Sequence, residues 1–124
     1  MSQNKPIILL DPYPRTMDLL FSKENLKYLK NNFKLITAPN KNKNNFYEKN
    51  LPKADYIFGQ PNLPSSLISK STKLKAIFNV ESNFMDNMDY DYCFRKGIHV
   101  LATSPVFAQP VAEMAIGLTL SIAR

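Results

Sequence analysis

Five short apolar runs recur along the 124 residues, separated by polar or helical stretches, and no other feature restricts the fold as much. They are Pro6–Leu10, Phe33–Thr37, Asp55–Phe58, Leu74–Phe78 and Ile98–Leu101. Short runs rich in Ile, Leu, Val and Phe suit strands buried on both faces. The segments between them can form helices, and strand–helix alternation builds a parallel sheet with helices packed against it. The predicted fold is therefore α/β, a flavodoxin-like doubly wound parallel five-stranded sheet of order 2-1-3-4-5.

Local signals place the connections. Asp11-Pro-Tyr-Pro is a turn, because two prolines break regular structure. Thr16 or Ser22 caps a helix running to about Asn32, with Leu19, Leu20, Leu26 and Leu29 as its apolar stripe. Ala38–Asn45 reads as a Lys/Asn loop, and Phe46–Leu51 as a short helical turn limited by Pro52. Pro64 opens a helix over Ser65–Ser69 from its first position. Asn87–Lys96 forms a short helix that Gly97 ends in the left-handed conformation, with Asp89 as the capping candidate. Ligands of open α/β sheets sit beyond the carboxyl ends of strands, which makes loops 79–87 and 102–109 the default site.

The final stretch is unusual. Val111, Ala112, Met114, Ala115, Ile116, Leu118, Leu120, Ile122 and Ala123 leave almost no polar face. A helix apolar all round needs burial on most sides. The chain stops at Arg124 with nothing to cover it, so a fragment or half of an assembly is expected. Glu113 stands either in the first turn, near the positive dipole end, or in a pair across an interface; the first position with some interface role is the reading taken here. Interrupted by Glu113, Thr119 and Ser121, the run falls short of the roughly 20 residues of a membrane span. Only four apolar residues separate Pro6 from Asp11, too few for a signal-peptide core. A single cysteine, Cys93, excludes an internal disulfide framework and fits a reducing compartment, so a cytoplasmic location is expected.

The net charge is +6, and residues 22–53 hold eight lysines against Glu24 and Glu48, which is the whole surplus. With Phe33, Phe46 and Tyr47 in the same segment, nucleic-acid binding is one reading. No RNA or DNA motif accompanies it, and a solvated face is the simpler one. Neither nucleic acid nor membrane is expected as a partner. His99 has no acid or Cys at ligand spacing, and Cys93, mid-helix, reads as a small buried hydrophobe. Asp86, Asp89 and Asp91 lack the glycine and terminal Glu of a calcium loop, so no metal site is expected.

Four pieces stand in order at a telling spacing: Leu74-Lys-Ala-Ile, Asp86-Asn-Met-Asp89, Gly97-Ile-His-Val100 and Val111-Ala-Glu113. With the strand–helix pattern from Pro6 to Phe58, the chain resembles the N-terminal, substrate-binding domain of the D-2-hydroxyacid dehydrogenases over nearly its whole length. These are relatives of phosphoglycerate, glyoxylate and formate dehydrogenases. The resemblance implies an NAD(P)-dependent oxidoreductase interconverting small 2-hydroxyacids and 2-ketoacids. It implies a substrate-binding domain over 1–109, and over 110–124 a helix that crosses to a nucleotide-binding domain, absent here, and contributes to a homodimer interface. It also implies that the loop after the fourth strand holds the substrate carboxylate through main-chain N–H groups. The candidates are Asn79, Val80, Glu81, Ser82, Asn83 and Phe84. Such donors are fixed in place and cannot lose their protons.

Gln60, after the third strand, is a further polar candidate. Phe107 stands where many relatives place an Asn, four residues before the Val-Ala-Glu, and supplies an apolar wall instead. The loop departs from the family in having no glycine and about one extra residue, and Glu81 would repel a carboxylate if it pointed inward. The family's catalytic Arg, Glu and His would follow residue 124, so no catalytic residue is assigned in this chain. Gly59, Gly97 and Gly117 lie too far apart for the family's Gly-x-Gly-x-x-Gly turn. NAD or NADP is therefore expected only in the complete enzyme, and the chain alone is expected to bind neither and to be inactive. The alternative is a non-catalytic small-molecule-binding or interaction module on the same fold.

Overall fold

The computed structural model describes residues 5–81 and 83–123. Its sheet has five strands: β1 (Ile7–Asp11), β2 (Lys34–Thr37), β3 (Tyr56–Gly59), β4 (Ala76–Phe78) and β5 (His99–Leu101). All neighbours pair in parallel, in the order β2-β1-β3-β4-β5. This is the doubly wound arrangement that the alternation predicts. Leu9 lies opposite Ile36 and Ile57, Ile57 opposite Ile77, and Ile77 opposite Val100. Side chains alternate between faces along a strand, so this row points to one side. On that side Leu9, Ile57, Ile77 and Val100 join one core with Tyr47, Leu51, Ile68 and Cys93 from the connections. Those come from α3 (Lys43–Asn50), a 3-10 turn (Leu51–Lys53), α4 (Ser65–Ile68) and α5 (Tyr90–Arg95).

The opposite face is only partly covered. The β1–β2 connection carries α1 (Met17–Leu20) and α2 (Lys23–Asn32). They leave an apolar groove of about 400 Å³, walled by Ile8, Leu10, Phe21, Tyr56, Phe58 and Phe78 among others. Phe21 meets Phe58 at 5.1 Å between ring centroids, and Tyr56 meets Phe78 at 6.3 Å.

Several boundaries differ from expectation. The single helix expected up to Asn32 is split, because Phe21 is extended (φ −132°) where it packs on Phe58. Both candidate residues precede a helix, but only Ser22 caps with its side chain: its Oγ accepts from the Asn25 N–H at 3.2 Å, whereas Thr16 stands before α1 with no side-chain capping bond. Helix α3 begins at Lys43 rather than Phe46, since Asn42 turns the chain in the left-handed region (φ 58°). Pro64 is the extended residue before α4 rather than its first helical one. Helix α5 begins at Tyr90, capped by Asp89 Oδ1 accepting from the Tyr92 N–H at 2.8 Å. Asn87 is drawn away from it, its carbonyl accepting from the Leu63 N–H at 2.7 Å. Gly97 has φ 69°, as its capping role requires.

The largest correction concerns the end of the chain. Loop 102–109 is helical from Ser104, because α6 (Ser104–Ile122) runs for 19 residues. Pro105 fits its first turn, where the missing N–H has no partner to lose. Glu113 is therefore in mid-helix, not in the first turn, and accepts from Gln109 Nε2 at 2.8 Å. At 19 residues the helix is long and apolar enough to cross a membrane by length and composition alone, because residues 104–110 add to the shorter apolar run read from the sequence. Every residue of α6 is exposed, so residues 5–123 do not supply the burial that its composition demands.

Candidate functional site

Strands β1, β3, β4 and β5 end at Asp11, Gly59, Phe78 and Leu101 along one edge. Gly59 leaves β3 with φ 147°, and a Cβ there would collide with the Asp11 carbonyl oxygen. Only glycine lets the two strand ends approach so closely. The Asp11 carboxylate is buried and fully engaged: Lys43 Nζ donates to Oδ1 at 2.7 Å, and the Tyr47 hydroxyl donates to Oδ2 at 3.0 Å. Burial, then the neighbouring carboxylate, pushes the Tyr47 phenol far above its ordinary range, so it remains a neutral donor. This trio fastens α3 to the end of β1. In the sequence Asp11 shows only as the first residue of the turn after the first strand, since its partners lie 32 and 36 residues away.

The loop after β4 is clamped from two neighbouring strand ends. Gln60 Oε1 accepts from the Glu81 N–H at 2.8 Å, and Gln60 Nε2 donates to the Asn83 carbonyl at 3.2 Å. From the β1–α1 turn, Arg15 Nε donates to Glu81 Oε1 at 3.1 Å and Nη2 lies 3.5 Å from Oε2. The negative charge of Glu81, an obstacle to a carboxylate ligand, is thus answered by Arg15. The structure brings Gln60, Glu81 and Asn83 together and adds Arg15, which sequence reading missed. The two ends of that ion pair are 66 residues apart, and nothing local to the Pro-Tyr-Pro-Arg turn points to Glu81.

Asn79 continues the sheet, donating its N–H to the Leu101 carbonyl at 2.8 Å. The residue is 3% exposed, and neither side-chain atom Nδ2 nor Oδ1 has a partner. Buried amides almost always find partners, so an orphaned pair calls for a water or a ligand. Asn79 and Val80 line a cavity of about 270 Å³ together with Phe58, Phe78, Leu101 and Thr103. Phe84 is turned away to stack edge-on against Tyr90, 5.5 Å between centroids. The Tyr90 hydroxyl accepts from the Met85 N–H at 3.1 Å and donates to the Met85 carbonyl at 2.7 Å, which holds the far end of the loop. Burial pushes this phenol up as well. Ser82 lies outside the described residues. Phe107 stands on α6, about half exposed, rather than in a loop.

A doubly wound parallel sheet with a loop clamped at its strand ends places the chain in the open α/β class, whose ligands sit beyond the carboxyl ends of the strands. More narrowly, the chain belongs to the D-isomer specific 2-hydroxyacid dehydrogenase family, residues 15–121 matching that family's catalytic domain. It is similar to a solved phosphoglycerate oxidoreductase from Rhizobium etli, at 39% identity and a TM-score of 0.79. That match covers 97% of this chain and 37% of the relative, so the chain spans little more than a third of the relative's length. The PH0520 protein from Pyrococcus horikoshii OT3 shares the fold at 19% identity and a TM-score of 0.68, covering 91% of this chain and 32% of its own. No curated protein matches. The residues present do not fit a nicotinamide dinucleotide: the turn after β1 is Pro12-Tyr-Pro-Arg15, with bulky side chains where a pyrophosphate needs bare backbone.

Proposed function

We propose that this chain is the substrate-binding part of an NAD(P)-dependent D-2-hydroxyacid dehydrogenase. It takes a small 2-hydroxy or 2-keto acid against the loop of residues 79–84. The observation that carries the reading is the clamped loop at the ends of β3 and β4, in a chain of that family. Backbone donors along this loop hold the substrate carboxylate, and Arg15 offsets the charge of Glu81. The Asn79 amide, buried and unpartnered beside that loop, is available to a polar group that reaches it once the loop shifts on binding. The likeness to a phosphoglycerate oxidoreductase points to an acid carrying a phosphate.

Residues 1–109 act as the substrate-binding domain. Residues 110–124, the larger part of α6, carry the chain toward a nucleotide-binding domain and the homodimer interface. That accounts for an apolar helix with no cover of its own. NAD or NADP binds in that further domain, and no step of hydride transfer is assigned to side chains of this one. The protein works in the cytoplasm, without nucleic-acid or membrane partners.

The test is consumption of reduced dinucleotide by the complete protein across a panel of short 2-ketoacids, with the product's configuration determined. Formation of the D-2-hydroxyacid is expected. Absence of turnover with every member would contradict the reading. The 124-residue chain alone is expected to give no heat with NAD or NADP in calorimetry, and tight binding there would contradict the division of labour.

A further inference from the structure

Two cations stand at the strand-end edge, and they are held very differently. Lys43 is bound to a carboxylate that is 5% exposed, with the Tyr13 ring 5.4 Å away on its other side. Arg15 is 53% exposed, and its partner Glu81 is 31% exposed. Ion pairs open to water are weak, because solvent screens them and two long side chains must be ordered. The guanidinium carries five N–H donors in a planar fork, of which Glu81 engages two groups. Such a fork matches the geometry of a second carboxylate or a phosphate. The pair also joins the β1–α1 turn to the loop after β4, at the same residue, Glu81, whose N–H Gln60 holds.

We infer that Arg15 binds a second, distal anionic group of the substrate, with Glu81 holding the guanidinium ready until that group displaces it. This rests on the proposed function and narrows its substrate class to 2-ketoacids and 2-hydroxyacids bearing a further carboxylate or phosphate. The backbone of the loop takes the carboxylate beside the reacting carbon, and Arg15 takes the far end. Glu81 then competes with the substrate for Arg15, which gives the two residues opposite effects.

The experiment uses the complete protein with pyruvate, oxaloacetate and 3-phosphohydroxypyruvate, which share a 2-keto acid and differ in the distal anion. R15Q is expected to raise KM for all three acids, since Glu81 loses its counter-charge, but to raise it for the two dianionic acids by about 10- to 100-fold more than for pyruvate, the range of a lost charge-assisted hydrogen bond. R15K restores part of the loss, because it keeps the charge without the fork. E81Q is expected to lower KM for the dianionic acids several-fold. The acid with the larger loss in R15Q identifies the distal group as carboxylate or phosphate. If both variants raise KM for all three acids alike, Arg15 is only a clamp on the loop and the inference is overturned.

A second readout separates this from failure of the enzyme reading. In nitrogen-15 spectra, the Arg15 Nε–H resonance is expected to shift with the dianionic acids and not with pyruvate. That shift without any turnover would overturn the dehydrogenase reading and keep the Arg15 site. Turnover with no such shift would overturn the site and keep the dehydrogenase.

Discussion

Asn79 carries the most informative contradiction at the scale of single residues: a buried amide with both polar atoms unpartnered. Replacing an unsatisfied polar group by an apolar one of similar shape removes a desolvation penalty. Asn79→Leu is therefore expected to leave stability within about 1 kcal/mol or raise it, while KM for the substrate rises about tenfold or more. Urea unfolding and steady-state kinetics check the two halves. A loss of several kcal/mol would mean that Asn79 is satisfied in the native protein after all. Asp55 gives the matching pH statement. Burial acts to raise its pKa, but the Ile7 N–H at 2.9 Å and Lys73 Nζ at 3.1 Å outweigh it and hold the carboxyl below its usual range. A depressed folded-state pKa stabilises above the unfolded value of about 3.9, and the stability is lost as pH falls through the folded value. Asp55→Asn is thus expected to cost about 1–3 kcal/mol at neutral pH, and the gap to wild type to close below about pH 4. Thermal melts across pH would show it, and a pH-independent gap would count against it. Asp89 as a cap, Gly97 as a stop and Cys93 as buried filling were legible, because each depends on its own few neighbours. Arg15 and the Asp11–Lys43–Tyr47 trio were not, because their partners come from distant segments that only the fold brings together.

Strands and helices differ in how plainly they can be read. The five strands were visible as apolar runs, because burial on the sheet demands such residues wherever they occur. The starts of α3 and α6 were hidden, for two physical reasons. Lys-Asn and Ser-Pro stretches have the composition of loops, yet Asn42 turns the chain directly into α3, and Pro105 is tolerated within a first helical turn. Helix α3 is then fastened to β1 by Asp11 rather than by a strong apolar stripe of its own. Asp11→Ala is expected to destabilise by about 2–4 kcal/mol, since it orphans a buried hydroxyl and removes the partner of Lys43. Tyr47→Phe is expected to cost about 1 kcal/mol, since it removes the hydroxyl and leaves the ring in the core. Hydrogen exchange should report the loosening first in α3. A uniform change across the sheet would argue that the trio does not fasten that helix.

For the molecule as a whole, the parallel sense of the sheet followed from the alternation, whereas its order was one choice among the doubly wound orders that alternation allows. The bare surface of α6 was legible in its all-round apolar composition, but the uncovered sheet face was not, because it belongs to no local pattern. One sheet face keeps an apolar groove and α6 keeps an apolar surface, with Val111, Met114, Ile116, Leu118, Leu120 and Ile122 all more than half exposed. Apolar patches of this extent on a folded protein mark interfaces. If the proposed homodimer forms through α6, charged substitutions such as Ile116→Lys with Leu120→Lys are expected to give a monomer in sedimentation where the unsubstituted complete protein gives a dimer. An unchanged dimer would place the interface elsewhere.

The central claim is that the loop of residues 79–84 receives the substrate. An amide-resolved nitrogen-15 titration of the chain with a 2-ketoacid tests it most directly. Saturable shifts concentrated at Val80–Phe84 and Gln60, with the Asn79 side-chain amide moving alongside them, are the expected result. Saturable shifts confined to the groove around Phe21, Phe58 and Phe78, with that loop unmoved, would contradict it.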